Sequence, residues 1–118
     1  MTTAAPSAAV AAKIAEAKAS GKPLVVIARS PSCTYCQALE LKLKEDSAFT
    51  SRTDIVLYRE DAEWGNNGAL SWTGGGAAPI VRITQWDASG KITCDKTLNR
   101  PATISDIEAA VSVCNPSP

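Results

Sequence analysis

Residues 23–37, PLVVIARSPSCTYCQ, pass from a continuous apolar run through a short polar stretch into two cysteines separated by two residues. Such a run, rich in β-branched residues, is typical of a strand that is buried on both faces, as in a parallel sheet. Beyond the cysteines, the spacing of apolar residues becomes helical. This stretch therefore predicts a buried strand, a loop, and a helix that begins at the cysteine pair.

The cysteine pair lies where a dithiol redox site would need it. The reactive sulfur of such a site must be a thiolate near neutral pH, and the unpaired N–H groups at a helix N-terminus favour negative charge. Cys33 falls at the start of the predicted helix, whereas Cys36 continues the apolar stripe formed by Leu39 and Leu43. We therefore expect Cys33 to be the exposed nucleophile and Cys36 to be the shielded, resolving cysteine.

Two other interpretations of the pair remain open at this point. The cysteines could be unreactive core residues, because cysteine is often buried as a small hydrophobic side chain. They could also belong to a zinc site completed by Cys94 and Cys114, although neither of these lies in a second C-x-x-C. The chain contains no histidine, which excludes histidine-containing zinc sites and Ser-His or Cys-His catalysis. We expect no metal.

Predicted strands and helices alternate in the first part of the chain, and two successive strands form a hairpin in the second part. The pattern predicts helices over 7–20, 34–44 and from Thr103, strands over 23–28, 54–58, 79–86 and 91–96, and an irregular segment over 60–78. Gly21 should end the first helix, and Glu40 and Lys44 should form an exposed i, i+4 pair. The early β-α alternation predicts parallel strands and the late hairpin antiparallel ones. We therefore expect an α/β fold with a mixed central β-sheet flanked by helices on both faces.

Length and composition limit the classes of function. The 118 residues predict a single domain over 1–118, with frayed ends at 1–7 and 115–118. Twelve basic and twelve acidic residues cancel, so no nucleic acid is expected as a partner. No apolar run is long enough to span a bilayer, and the N-terminus lacks the regions of a signal peptide. We expect either a cytosolic protein or the mature form of an exported one.

The stretch GKPLVVIARSPSCTYCQALE, residues 21–40, resembles the thioredoxin superfamily, and more narrowly its extracytoplasmic thioredoxin-like domains. The similarity continues through LKEDSAF at 43–49, AAPIVRI at 77–83 and DASGKI at 87–92, and it covers roughly residues 8–113. The resemblance implies the thioredoxin fold and thiol–disulfide exchange with protein thiols or disulfides, including those of a redox partner protein. It implies no bound cofactor, and we expect a monomer.

The resemblance also implies roles for individual residues. It gives the two cysteines the roles inferred above. Pro79, at the start of a β-branched strand, matches the cis-proline that faces the dithiol. The cis form is routine only for a peptide bond that precedes proline. The alternative is a proline that simply begins the strand. Ala78 matches the residue whose backbone pairs with an extended substrate. Thr34 and Tyr35, between the cysteines, are expected to contact the partner and to tune the reduction potential.

Three departures from the family pattern leave questions open. Ile27 occupies the position of a buried aspartate, so another group must assist the deprotonation of Cys36. Ser32 replaces a tryptophan that often precedes the first cysteine. Arg29 replaces another common aromatic, and is either a cation that stabilises the thiolate or a solvated strand end. The Thr-Tyr dipeptide matches neither the reducing thioredoxins nor the strongly oxidising relatives, so the direction of electron flow is not determined.

Two further functions are alternatives to an exchange enzyme of the thioredoxin type. One is a non-catalytic protein-interaction module in which the C-x-x-C forms a permanent structural disulfide. The other is a glutaredoxin-like enzyme, which the tyrosine before the second cysteine favours. The glutathione site of glutaredoxins would require a Gly-Gly pair shortly after the cis-proline strand, whereas the glycines at 74–76 precede Pro79.

The two remaining cysteines are predicted to form a structural disulfide. Cys94 lies in the fourth strand and Cys114 at the end of the last helix. A helix that returns antiparallel to the strand, at 1.5 Å per residue, brings its end back near the strand. The alternative is two small buried hydrophobic residues. A disulfide outside the C-x-x-C favours an oxidising compartment, so we expect a periplasmic or extracellular location, with the cytoplasm as the alternative.

Overall fold

The computed structural model describes residues 8–29, 34–61, 73, 79–101 and 103–114. The helices are α1 (Ala8–Ser20), α2 (Thr34–Glu45), α3 (Ser47–Thr50) and α4 (Ile104–Cys114), and the strands are β1 (Leu24–Arg29), β2 (Val56–Asp61), β3 (Ile80–Trp86) and β4 (Ile92–Asn99). Among these residues, the strands form one sheet in the order β2-β1-β3-β4. β1 is parallel to β2 and antiparallel to β3, and β3 is antiparallel to β4. The predicted mixed α/β sheet is confirmed.

β1 occupies a central position because its side chains are apolar on both faces. Since successive side chains of a strand point to opposite faces, Val25 and Ile27 face one side of the sheet and Leu24 and Val26 the other. Val25 and Ile27 pack with buried residues of α2 and α4, whereas Leu24 and Val26 pack with Ala17 of α1. The helices therefore cover both faces, with α2 and α4 together on one of them.

The start of β2 and the ends of β2 and β4 lie away from their predicted positions. β2 begins later than predicted because Asp54 forms a bidentate ion pair with Arg52, at 2.8 and 2.6 Å, within a bend that precedes the strand. β2 then continues to Asp61, since its parallel register with β1 ends only at the Arg29↔Asp61 pair. β4 likewise extends to Asn99, which pairs with Ile80 of β3.

The helix ends follow local hydrogen bonding. Gly21, at φ 71°, ends α1 as predicted and donates its N–H to the carbonyl of Ala17 at 2.9 Å. Asp46 caps α3, a short helix that the sequence did not predict, by accepting a hydrogen bond from the N–H of Phe49 at 3.0 Å. Phe49 is 2% exposed and anchors this turn in the core.

A disulfide joins Cys94 of β4 to Cys114 at the end of α4, with the two Cα atoms 5.3 Å apart. Because both sulfurs are used in this bond, these residues cannot complete a four-cysteine zinc site while it is formed. The described part of the chain also holds no group of three or more acidic, cysteine or histidine residues that could bind a metal. Among the helices described, none is both long and apolar enough to cross a membrane.

Candidate active site

The first turn of α2 presents its residues to different surroundings. α2 begins at Thr34, the residue after Cys33, and Thr34 is exposed. Tyr35 is 62% exposed, whereas Cys36 is only 3% exposed. The shielded position predicted for Cys36 agrees with this burial. Cys33 lies outside the described residues, so its exposure stays a prediction.

The first turn of α2 contains no carboxylate that would oppose an anion at the N-terminal end of the helix. Its first turn, which is fully described, holds no acidic residue, whereas Lys42 and Lys44 lie in its last turn. The helix dipole places partial positive charge at the N-terminus, where it stabilises negative groups. A thiolate at this end of the helix would therefore meet favourable N–H dipoles and no carboxylate from the first turn.

Arg100 connects this first turn to the start of β3. Pro79 directly precedes β3 and is buried, and its carbonyl accepts a hydrogen bond from the backbone N–H of Arg100 at 2.8 Å. The guanidinium of Arg100 lies over the ring of Tyr35, 4.8 Å from its centroid. Arg100 therefore contacts Pro79 through its backbone and Tyr35 through its side chain. Ala78 lies outside the described residues, and the cis form of the Ala78–Pro79 bond stays a prediction.

The backbone of Arg100 adopts a conformation that non-glycine residues rarely use. Its φ is 50°, in the left-handed region. Residues held in such regions are enriched at functional sites. Arg100 was not predictable as a site residue, because an arginine before a proline carries no sequence signal for a left-handed backbone or for contact with a helix distant in sequence.

A cluster of three charges lies between α2 and the sheet. The Glu40 Oε2 atom is 2.7 Å from Nη1 of Arg29, and its Oε1 atom accepts a hydrogen bond from Nη1 of Arg59 at 2.8 Å. The Arg29 and Glu40 side chains are only 22% and 18% exposed. The cluster ties α2 to the ends of β1 and β2. We call Arg29, Glu40 and Arg59 the charge cluster.

The charge cluster corrects one prediction and answers an open question. The prediction of an exposed pair between Glu40 and Lys44 is wrong, because Glu40 instead faces the sheet and contacts Arg29 and Arg59. A charge-assisted hydrogen bond from Arg59, together with the ion pair to Arg29 at a half-buried site, is stronger than an exposed helix-surface pair. Arg29 is correspondingly not a solvated strand end. Ile27, at the position of the family's aspartate, is fully buried and lies in register with Arg59.

Comparisons with known proteins agree on the fold. A family model described as a thioredoxin-like domain matches residues 10–104. The Fasciola hepatica thioredoxin structure is 16% identical, with a TM-score of 0.65, and covers 98% of this chain and 100% of its own. The Trichomonas vaginalis thioredoxin is 19% identical, with a TM-score of 0.64, over 87% of this chain and 88% of its own.

A third structure, a complex of ferredoxin:thioredoxin reductase and thioredoxin f2, contains a chain 23% identical to this one. Its TM-score is 0.62, over 85% of this chain and 84% of that one. Among curated proteins, no sequence matches this chain. At these identities the structures show the shared fold.

Proposed function

The chain belongs to the thioredoxin-like family, and from this membership we propose that it is a thiol–disulfide oxidoreductase acting on protein partners through Cys33 and Cys36. The observation that carries the proposal is the placement of Cys36. It is buried in the first turn of a helix that follows the central strand, in an environment suited to a resolving thiol.

In the reducing direction, the exchange proceeds in two steps. The Cys33 thiolate attacks one sulfur of a partner disulfide, forming a mixed disulfide and releasing the other partner sulfur as a thiolate. Cys36, once deprotonated, attacks the Cys33 sulfur, closes the Cys33–Cys36 bond and releases the second partner sulfur. The partner gains two electrons and its thiolates take up two protons. The reverse sequence oxidises a partner dithiol.

The partner segment is proposed to bind where Tyr35, Pro79 and Arg100 meet, with Thr34 beside them. Ala78 would offer backbone hydrogen bonds to an extended chain. The reductase complex of a related thioredoxin supports a protein as the redox partner. The Cys94–Cys114 disulfide supports an oxidising compartment, periplasmic or extracellular.

Arg100 is expected to favour partners that carry an acidic residue beside their disulfide. Its guanidinium lies over exposed Tyr35, and two unit charges about 4 Å apart in water interact by about 1 kcal/mol, or about fivefold in rate. Arg100→Gln should therefore reduce the preference for an aspartate-flanked over an asparagine-flanked peptide disulfide about fivefold. Stopped-flow exchange rates measure this preference, and Arg100→Lys should retain it. An unchanged preference in Arg100→Gln would contradict this role.

The proposed function is tested by the reduction potential of the Cys33–Cys36 pair. We expect a reversible two-electron couple in glutathione redox buffers, above the range of about −300 mV that marks structural disulfides. Quantified thiols and mass spectrometry report the fraction oxidised, and a Cys33→Ser/Cys36→Ser variant corrects for Cys94 and Cys114. A pair that stays oxidised throughout the glutathione range would instead indicate a non-catalytic binding module with a structural C-x-x-C disulfide.

A further inference from the structure

We propose that Arg100 is a positioning residue, which holds the side chain of Tyr35 in one orientation for the protein partner of the Cys33–Cys36 pair. This inference rests on the proposed function and deepens it, because it names the residue that prepares the surface facing the partner. The role is separate from the attraction of Arg100 for an acidic partner residue, because it acts through Tyr35.

Tyr35 presents a large ring to solvent within the C-x-x-C. It lies directly before Cys36, and its Cα atom is at most about 7 Å from that of Cys33, because only two residue steps separate them. Most of its surface is exposed. Among the described residues, its hydroxyl group has no hydrogen-bond partner, and the guanidinium of Arg100 makes its one ring contact. Exposed side chains change rotamer within nanoseconds, so the orientation of this ring depends on that contact.

Arg100 reaches the ring from a strained backbone position. Its φ of 50° lies in the left-handed region, which is less favourable for a residue with a Cβ atom than for glycine. It also precedes Pro101, and a residue before proline normally adopts an extended conformation with a negative φ. A glycine here would make the backbone hydrogen bond to Pro79 without this strain. The contact with Tyr35 is therefore the feature that requires a side chain at this position.

The left-handed φ links the two contacts of Arg100. Its N–H is held by the carbonyl of Pro79 at 2.8 Å, and its guanidinium lies 4.8 Å from the centroid of the Tyr35 ring. The φ angle is the rotation about the N–Cα bond, so a change from 50° to a usual value near −60° would turn the Cα–Cβ bond by about 110° around that axis. The observed φ thus directs the side chain toward Tyr35 while the backbone stays bonded to Pro79.

A side chain that is ordered before binding increases affinity for the partner. Ordering one free side chain at an interface weakens binding by about two- to tenfold. A partner that meets Tyr35 in a fixed orientation avoids this loss. Removing the side chain of Arg100 should therefore raise the KM of exchange about two- to tenfold, with a smaller effect on kcat.

The test variants are Arg100→Gln and Arg100→Gly. The first removes the cation, and the second also relieves the backbone strain. Both should raise the KM for a peptide disulfide with uncharged flanking residues, which removes any direct attraction between Arg100 and the peptide. Arg100→Lys should restore most of the wild-type KM, because an ammonium group can also lie over an aromatic ring. The Tm of Arg100→Gly should equal or exceed that of wild type, which replacement of a residue that serves only stability would not show.

A double-mutant cycle shows whether Arg100 acts through Tyr35. Arg100→Gln should raise the KM in the wild-type background, but should cause no further rise in the Tyr35→Leu background. The matched control is Lys18→Gln. It removes another cation that lies over a ring, 5.6 Å from the centroid of Trp86, in the core cluster that includes Ala17 of α1. The KM of this control should stay at the wild-type value.

A second readout does not depend on exchange activity. Three-bond NMR couplings of Tyr35 report whether its χ1 angle is fixed, and ring-current shifts of the Arg100 side-chain protons report the contact between the two residues. We expect a single χ1 rotamer in wild type and in Arg100→Lys. In Arg100→Gln and Arg100→Gly we expect averaging over the staggered rotamers.

The combined results separate this inference from the proposed function. A fixed Tyr35 ring in wild type, its release in Arg100→Gln, and a rise in KM that disappears in the Tyr35→Leu background support the inference. Equal averaging of χ1 in wild type and Arg100→Gln, or an equal rise in KM with and without the ring, overturns it and leaves the proposed function in place. A Cys33–Cys36 pair that does not titrate in glutathione buffers overturns both, even if Arg100 fixes the ring.

Discussion

Replacing Cys33 with serine should abolish disulfide exchange, and replacing Cys36 with serine should leave a protein that reacts once and then stays joined to its partner. A serine hydroxyl forms no disulfide, so without the Cys33 sulfur the first step has no nucleophile. Without the Cys36 sulfur the first step proceeds, but no internal thiol resolves the mixed disulfide. The two variants therefore lose turnover for different reasons.

The measurement is turnover of a fluorogenic peptide disulfide, together with mass spectrometry under non-reducing conditions. We expect turnover at the background rate for both variants, and a covalent one-to-one adduct only with Cys36→Ser. Because Cys36 is buried, Cys36→Ala is the matched control for the effect of placing a hydroxyl in the core, and it should trap the same adduct. An adduct on Cys36 in Cys33→Ser would reverse the assigned roles.

The fold was predictable where the local pattern and the final surroundings agree. The apolar run of residues 24–28 is buried in the sheet because both of its faces meet helices. Gly21 ends α1 through its own backbone freedom, which needs no tertiary contact. The ends of β2 and β4 were not predictable from their own residues, because the length of the neighbouring strand decides how far the ladder of hydrogen bonds continues.

In the candidate site, too, some features follow from the local sequence and others depend on tertiary contacts. The burial of Cys36 follows from its helical spacing to Leu39, a local property. The environment of Glu40 depends on Arg59, which is distant in sequence and reaches α2 only once β2 pairs with β1. Helix-surface rules consider only residues of the same helix, so they predicted an ion pair between Glu40 and Lys44. The contact of Arg100 with Tyr35 also depends on tertiary structure, since Arg100 follows β4, an edge strand of the described sheet that is distant in sequence from α2.

Removing the Cys94–Cys114 disulfide should lower the free energy of unfolding by about 3 kcal/mol, because the cross-link restricts the conformational entropy of the unfolded chain. The bond closes a loop with a sequence separation of 20. The strand that it anchors has few other constraints, because among the described strands β4 pairs only with β3 and most of its side chains are exposed. A domain of this size should lose about 10–15 °C in Tm.

The test is thermal and urea unfolding of Cys94→Ala/Cys114→Ala, compared with wild type in the absence and presence of dithiothreitol. Fully reduced wild type should approach the stability of the variant, and the variant should respond little to the reductant. A Tm within about 2 °C of wild type would show that the packing of Ile107 and Val111 in the core holds α4 without the bond.

The same variant should leave disulfide exchange at the Cys33–Cys36 pair nearly unchanged below its Tm. Cys94 pairs with Gln85 near the hairpin end of β4, whereas Arg100 follows the opposite end of that strand. At about 3.3 Å per residue, the strand separates Cys94 from Arg100 by roughly 20 Å, well beyond the Debye length of about 8 Å. Loss of stability with exchange intact would assign the two cysteine pairs separate roles, because a disulfide shuttle between them would make turnover depend on both.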